Sequence, residues 1–384
     1  MRRLLTVLGF LMTQLLVNAQ PQTGAEQMAE YLPLLQGKRV AILTNYTALV
    51  NGANVVDTLV KRGVNIVKIF SPEHGFRGDA DAGATVGNQK DPVTGIPIIS
   101  LYGSKRKPSA DDLADVDVLL YDIQDVGVRF YTYPASLQRY MESAIENHRP
   151  LVILDRPDPN GQYVDGPVLD TAYHSFVGMQ PIPVVYGMTI GEYARMLLGE
   201  GWVASDPGFH LTVIQCRRYT HHSKYTLPVK PSPNLPNMQS VYLYPSTCMF
   251  EGTAISLGRG TDKAFQLFGA PSLPNDLFSF TPRSVPGATS PPHLNELCYG
   301  YDLSNFAVSH DTMSVHWLLV AYRLFPDKEH FFNGNGSGFD RLAGGPMLRQ
   351  QIRDGLSEEA IRASWQPGLQ HFKTIRKKYL LYAE

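Results

Sequence analysis

Cysteine is scarce in this 384-residue sequence, and net charge is almost absent. The three cysteines, Cys216, Cys248 and Cys298, form no C-x-x-C pair, so we expect no disulfide framework and no cysteine-based zinc site. The chain carries 34 Lys and Arg residues against 35 Asp and Glu residues. Because no global charge attracts nucleic acid or a membrane surface, we expect the partner to be a small or uncharged molecule and not a nucleic acid.

Several motifs that identify common enzyme classes are also missing. No G-x-G-x-x-G follows the first predicted strand, and neither a G-x-x-x-x-G-K-[ST] loop nor a G-x-S-x-G elbow occurs. These absences disfavour dinucleotide binding, nucleoside-triphosphate hydrolysis and the usual α/β-hydrolase mechanism. H-E-x-x-H is absent too, and the side chains of the adjacent His221 and His222 diverge in any regular structure. We therefore expect neither a cofactor nor a catalytic metal.

The N-terminus has the pattern of a signal peptide. Arg2 and Arg3 precede a mainly apolar run over residues 4–17, and Val17-Asn18-Ala19 provides a small-residue cleavage site. The run is short for a membrane span, and the lack of a basic flank after it disfavours an uncleaved anchor. We expect residues 1–19 to be removed by cleavage after Ala19. The mature chain is then expected to be periplasmic or extracellular, with no membrane association.

From residue 39 onward, short apolar runs alternate with helical patterns. The predicted strands are residues 40–43, 64–70, 96–101, 116–121 and 151–154. Helices are predicted over residues 53–62, 133–147 and 189–198, the last with a Thr189/Glu192 capping box. Nearly continuous apolar strands are buried on both faces, which indicates a parallel sheet with helices on either side. Residues 20–206 are therefore predicted to form a doubly wound α/β domain, with segment 157–183 crossing its cleft.

The second half of the chain alternates less regularly. Strands are predicted over residues 211–214 and 241–243, and helices over residues 312–324 and 357–364. These elements predict a smaller α+β domain over residues 207–384 that closes the cleft.

Glu73 is the first candidate for chemistry. It follows a predicted buried strand in a turn made tight by Pro72 and Gly75, with His74 and Arg77 beside it. A carboxylic acid held against apolar walls keeps its proton more readily, as a general acid at neutral pH requires. The alternative is structural, with Glu73 capping a helix or pairing with Arg77.

The polar stretch over residues 121–133 follows another buried strand and is the second candidate. Ligands bind beyond the carboxyl ends of the strands in open α/β sheets, so the strand ends are expected to converge. Asp122 and Asp125 are alternatives for a second carboxylate, the other being free to pair with Arg129. The substrate-binding candidates are the neighbours of Glu73 and polar or aromatic residues in this stretch and in later turns: His74, Arg77, Gln124, Arg129, Tyr131, Tyr133, Asp155, Arg156, Asp165, Glu251 and Arg259.

These blocks occur in an order that resembles the exo-β-N-acetylmuramidases of the NamZ type. The resemblance runs from about residue 39 to the C-terminus. It is carried by residues 71–75, 121–133, 155–157, 250–253, 258–261, 339–340 and 379–382.

The resemblance implies an exported glycosidase with a Rossmann-like domain, a second smaller domain and a cleft between them. Its implied reaction is removal of terminal N-acetylmuramic acid from the non-reducing end of peptidoglycan fragments, such as a muropeptide or disaccharide. Glu73 is the implied catalytic acid, and residues 122–133 are implied to line the pocket. One departure is Asp165, because the family often has Glu at this position.

The chemistry leaves alternatives open. A second carboxylate activates water or attacks the sugar in most glycosidases, whereas a 2-acetamido sugar is able to assist its own departure. The lactyl carboxylate of muramic acid also needs a basic partner, for which Arg77, Arg129 and Arg259 are the candidates. The main alternative function is a non-catalytic cell-wall protein that binds sugar in the same cleft.

Overall fold

The computed structural model describes residues 20–73, 75–77, 89–204 and 206–384. The predicted signal peptide and His74 lie outside these described residues. Within them, no helix combines the length and apolar character that crossing a bilayer requires.

The first half of the chain is organised around a seven-stranded sheet, counted over the described residues. Its strands, with the small hairpin β2–β3, are β1 (Arg39–Thr44), β2 (Leu49–Val50), β3 (Ala53–Asn54), β4 (Asn65–Ser71), β5 (Gln89–Lys90), β6 (Pro97–Ser100), β7 (Val118–Asp122), β8 (Leu151–Leu154) and β9 (Leu211–Ile214).

The order of strands across this sheet is β5-β6-β4-β1-β7-β8-β9. All neighbours are parallel except the edge pair β5 and β6. The six parallel strands, counted along the chain, therefore lie in the order 3-2-1-4-5-6, which is the Rossmann order. The predicted Rossmann-like doubly wound sheet is confirmed, and the order reverses between β1 and β7.

Both faces of the sheet are covered, as the apolar strands predicted. In β7, Leu119 and Tyr121 belong to one buried apolar cluster, whereas Val118 and Leu120 belong to the other. This alternation follows from the two-residue period of a strand. The helices of the described first half are α1 (Met28–Leu35), α2 (Val55–Lys61), α3 (Ala110–Leu113), α4 (Tyr133–Glu146) and α5 (Ile190–Gly199). Side chains of α1 and α2 pack on one face, and those of α4 and α5 on the other.

The second half combines a small antiparallel sheet with helices, as an α+β domain does. The sheet has the order β10 (Leu267–Ala270), β12 (Cys298–Asp302) and β11 (Phe278–Phe280). The helices in this part are α6 (Met238–Thr247), α7 (His316–Leu324), α8 (Ser337–Ala343), α9 (Met347–Arg353) and α10 (Glu358–Arg376).

One predicted element of the second half is wrong, and another is right but lies in the large sheet. Residues 241–243 were predicted as a strand but lie in α6, because Asn237 caps a helix by accepting a hydrogen bond from the Ser240 amide at 3.0 Å. The strand predicted at 211–214 exists, but it pairs with β8 in the large sheet and not within a second domain. The first structural unit therefore extends beyond the predicted boundary at residues 206 and 207.

Candidate active site

A cavity of about 310 Å³ opens beyond the carboxyl ends of β4, β6 and β7. Glu73 follows β4, Tyr102 and Arg106 follow β6, and residues 130–133 follow β7. The remaining described lining residues come from the connection after β8 and from the second half: Phe176, Val177, Ser232, Leu235, Tyr244, Glu251, Arg259 and Phe265. Both halves of the chain therefore build the cavity, as the prediction of a cleft between them implied.

Glu73 is half-buried at the cavity wall. The Thr132 hydroxyl donates a hydrogen bond to its Oε2 at 3.1 Å, and the Tyr102 side chain is a second hydrogen-bond partner. Burial, followed by the nearby charge of Glu73, raises the pKa of Tyr102 to about 12. Tyr102 therefore keeps its proton at neutral pH, and two hydroxyl groups orient the carboxyl group.

Arg77, considered as a partner of Glu73, lies in a different ion-pair network. Its guanidinium contacts Asp91 at 2.9 Å and Asp57 at 3.2 Å. These contacts link α2 to the segment before β6. Arg77 is absent from the described cavity lining, so its predicted place in the sugar pocket is corrected to a structural one.

Tyr131 and Tyr133 form an aromatic wall of the cavity. Their ring centroids are 4.7 Å apart in an edge-on arrangement. The Tyr131 hydroxyl donates to the Pro231 carbonyl at 2.6 Å, and the Tyr133 hydroxyl accepts from the Asn45 amide at 2.7 Å. Tyr133 is the first residue of α4, so the two rings meet through a strand-to-helix turn and not through continued strand geometry.

Glu251 and Arg259 line the cavity from the second half. Arg259 Nε donates to Glu251 Oε1 at 2.8 Å, and the guanidinium carbon lies 4.9 Å from the centre of the Phe265 ring. The turn that carries Arg259 depends on Gly258 and Gly260, which both have positive φ angles, +70° and +79°. The same pair also borders a second cavity of about 480 Å³. The pair is thus held in place between two cavities.

Asp122 and Arg156 form a buried ion pair beneath the site. Arg156 donates from Nε to Asp122 Oδ1 at 2.5 Å and from Nη2 to Oδ2 at 2.9 Å. The pair joins the ends of β7 and β8. Neither residue is among the described cavity residues, so the structure corrects the predicted pocket positions of both. The reason is that each is the charge partner that the other needs when buried.

Asp125 and Gln124 hold the loop after β7. Asp125 Oδ2 accepts hydrogen bonds from the Gly127 amide at 2.7 Å and from the Tyr186 hydroxyl. Burial raises the pKa of Asp125 to about 6. Gln124 Nε2 donates to the Asp125 and Pro157 carbonyls, both at 2.8 Å. Asp125 Oδ1 and Gln124 Oε1 are buried without a hydrogen-bond partner among the described residues, and neither residue belongs to the described lining of the cavity.

Both carboxylate oxygens of Asp155 accept hydrogen bonds. It accepts hydrogen bonds from the Tyr382 hydroxyl at 2.6 Å, the Thr189 hydroxyl at 2.7 Å and the Gly191 amide at 2.9 Å. Burial raises the pKa of Asp155 to about 6. These contacts connect β8 with α5 and the C-terminal segment, which corrects the predicted substrate contact.

Arg129 and Asp165 connect the first half to the second. Arg129 donates to the carbonyls of Pro167, Ile182 and Leu342, each at 2.8 Å, and burial lowers its pKa to about 9. Asp165 pairs with Arg362 at 2.9 Å and accepts from the Met313 amide at 2.9 Å. Both were predicted to contact substrate, but the structure uses both side chains for internal contacts.

Residues 40–239 match the family model described as exo-beta-N-acetylmuramidase NamZ, N-terminal, and residues 242–382 match its C-terminal counterpart. The chain belongs to the NamZ family.

Individual NamZ relatives agree with this assignment. The chain is 40% identical over 386 residues to peptidoglycan beta-N-acetylmuramidase NamZ of Bacillus subtilis (strain 168), which covers 94% of this chain and 91% of that protein. Two crystal structures of DUF1343 family proteins from Bacteroides fragilis NCTC 9343 are also similar. One has a TM-score of 0.88 at 46% identity, covering 95% of this chain and all of the other. The second has a TM-score of 0.81 at 29% identity, covering 94% and 99%.

The two NamZ family models meet between residues 239 and 242, inside helix α6. The N-terminal model therefore includes β9, in agreement with the sheet. The chain passes from one half to the other through a helix, whereas many domains are joined by a flexible linker.

Several cavity residues of this NamZ family member were not predicted. Tyr102 had a signal, since it follows the predicted strand over residues 96–101, where polar groups were expected to converge. Phe176 lies in segment 157–183, which was predicted to cross the cleft, whereas Arg106 and Tyr244 had no signal. They lie in a loop and a helix whose position over the cavity depends on tertiary packing.

Proposed function

We propose that the chain is an exo-acting glycoside hydrolase that releases terminal N-acetylmuramic acid from the non-reducing end of peptidoglycan fragments. Membership of the NamZ family and the relative from Bacillus subtilis support this activity. The cavity volume of about 310 Å³ is near the lower end for ligand pockets, roughly 300–1,000 Å³. A pocket of this size suits one terminal sugar better than an extended glycan.

The observation that carries the proposal is the position of Glu73. It is a carboxyl group at the end of β4, oriented by Thr132 and Tyr102 inside a cavity with aromatic walls. In this proposal Glu73 donates a proton to the glycosidic oxygen as the bond to the anomeric carbon breaks. General acid catalysis of this kind requires a positioned carboxyl group within hydrogen-bonding reach of the leaving oxygen.

Glu251 is the proposed second carboxylate. Asp122 and Asp125 are buried outside the described lining, whereas Glu251 lines the cavity on the side contributed by the second half. Arg259 fixes its position by an ion pair. In the alternative mechanism, the 2-acetamido group of the substrate attacks the anomeric carbon, and Glu251 orients that amide. Hydrolysis of a trifluoroacetamido substrate is then strongly slowed, whereas Glu251→Gln has a modest effect on the rate.

The test of catalysis is Glu73→Gln assayed on a chromogenic N-acetylmuramide. We expect kcat to fall by about 10²- to 10⁴-fold, since the amide has no proton to give. Glu329→Gln, at an exposed position, is the matched control and should retain wild-type activity. Activity of Glu73→Gln within a few-fold of wild type would refute the assignment. Sugar binding without turnover by the wild-type protein would favour the non-catalytic alternative.

Export of the protein is also part of the proposal. The basic and apolar pattern of residues 1–19 and the small residues before position 20 support a cleaved signal peptide. Mass spectrometry of the protein from periplasmic and extracellular fractions should find an N-terminus at Gln20. An intact Met1 N-terminus in the cytoplasmic fraction would contradict export.

A further inference from the structure

The proposed substrate carries a carboxylate that its neutral relatives lack, on the lactyl group at O3. Three arginines were candidates to bind it, and each already has other partners: Arg77 and Arg129 outside the described lining, and Arg259 within it. Arg77 pairs with Asp57 and Asp91, Arg129 donates to backbone carbonyls, and Arg259 pairs with Glu251. The charge of the lactyl group therefore needs a different cation.

Arg106 lines the same cavity and is exposed to solvent. Its Nε donates a hydrogen bond to the Gly103 carbonyl at 3.2 Å. Its guanidinium carbon lies 4.4 Å from the centre of the Phe176 ring. In the part of the chain that the structure describes, Arg106 has no carboxylate partner, unlike Arg77 and Arg259.

These two contacts hold the guanidinium while leaving its binding edge available. Stacking on an aromatic ring occupies the face of the guanidinium plane, whereas a carboxylate binds at the edge through two parallel N–H groups. The Gly103 carbonyl uses Nε, so the terminal Nη groups remain as donors. An arginine held this way loses less conformational freedom on binding a carboxylate.

The electrostatic balance of the cavity favours the same role. Within the described lining of the cavity, Glu251 and Arg259 already form an ion pair with each other. A substrate with its own carboxylate adds another negative charge. Arg106 is the described cavity cation without an acidic partner, so it is placed to compensate that charge.

We propose that Arg106 binds the lactyl carboxylate of the terminal sugar and selects this acidic sugar over neutral 2-acetamido sugars. The proposal rests on the proposed function, and it adds a specificity residue to it. Phe176 acts as the positioning residue for Arg106.

The test compares two chromogenic substrates of the same shape, an N-acetylmuramide and its lactyl carboxamide, which differ in charge. The wild-type enzyme should prefer the acid. Arg106→Gln should lower kcat/KM for the acid by about 10- to 100-fold, as loss of a charge-assisted hydrogen bond does, and change the amide by less than about 3-fold. The kcat/KM of Arg106→Lys for the acid should lie between the values of the wild type and Arg106→Gln. Phe176→Leu should raise KM for the acid while kcat changes little.

Arg341→Gln, at an exposed helix position outside the cavity, is the matched control and should keep the wild-type preference. Circular dichroism and thermal unfolding verify that each variant is folded. The inference is overturned if Arg106→Gln retains the preference for the acid, or if it loses activity on both substrates equally. A wild-type enzyme that hydrolyses neither substrate contradicts the proposed function itself, which separates the two failures.

Discussion

The charged residues that follow the strands differ in burial, and we group them into a lower layer that is buried within the fold and an upper layer that lines the cavity. In the lower layer, Asp122 and Arg156 are buried and satisfy each other. In the upper layer, Glu73 and Arg106 lie at the cavity with access to a ligand. The comparison teaches that a polar residue after a buried strand is not thereby a site residue. Its role depends on whether it is buried within the fold or lines the cavity.

The largest expected effect comes from breaking the lower layer. Arg156→Met leaves the Asp122 carboxylate buried without its partner, so we expect the free energy of unfolding to fall by about 3–5 kcal/mol. Urea denaturation followed by circular dichroism measures the change. Arg39→Met is the matched control, because it breaks the solvent-exposed pair with Asp117 and should cost far less stability than Arg156→Met. Equal losses in the two variants would remove the distinction between the layers.

A smaller effect is expected on the pH dependence of stability, which the buried carboxyl groups Asp125 and Asp155 of the lower layer influence. Burial raises the pKa values of Asp125 and Asp155 to about 6 in the folded state, above an unfolded value of about 4. Between these values the folded state binds more protons than the unfolded state, so stability falls as the pH rises from about 4 to 6. Asp125→Asn should flatten this fall by up to about 2–3 kcal/mol, the equivalent of two pKa units at one site. Urea unfolding at several pH values tests it, and a fall as steep as in the wild type would contradict it.

The smallest expected effect sharpens the upper layer. Thr132→Val removes the hydroxyl that donates to Glu73 but keeps the side-chain shape. We expect kcat to fall by about 3- to 10-fold, equivalent to one ordinary hydrogen bond, while the melting temperature stays within 2 °C or so of wild type. Thr58→Val, on α2, is the control and should leave kcat unchanged. A large loss of stability with no change in kcat would mean that Thr132 stabilises the fold, as the residues of the lower layer do, and does not orient Glu73 for the reaction.

The strands of the large sheet could be predicted from the sequence because each is a continuous apolar segment. Strands β1, β4, β6, β7 and β8 are apolar runs buried on both faces, and each was predicted to within about two residues. The small sheet was missed for the opposite reason. β11 has three residues, and two of them, Phe278 and Ser279, are exposed, so it carries little hydrophobic pattern.

The site was predictable only where a strand end determines it. Glu73 lies at the cavity two residues after β4, and Tyr131 and Tyr133 reach it through the loop between β7 and α4, while their roles in the reaction stay predictions. Asp122, Asp125 and Asp155 met the same criterion and turned out to be buried. Burial depends on partners distant in sequence, such as Tyr186 and Tyr382, which no local pattern identifies.

Helix α6 has a practical consequence for recombining members of this family. The two family models meet within it, at residues 239–242, so a chimera joined at that boundary would splice two half-helices from different parents. Val241, Leu243 and Tyr244 of this helix are buried, and Tyr244 also lines the cavity. A crossover placed before the Asn237 cap would transfer the helix intact, together with the cavity residues Tyr244, Glu251, Arg259 and Phe265.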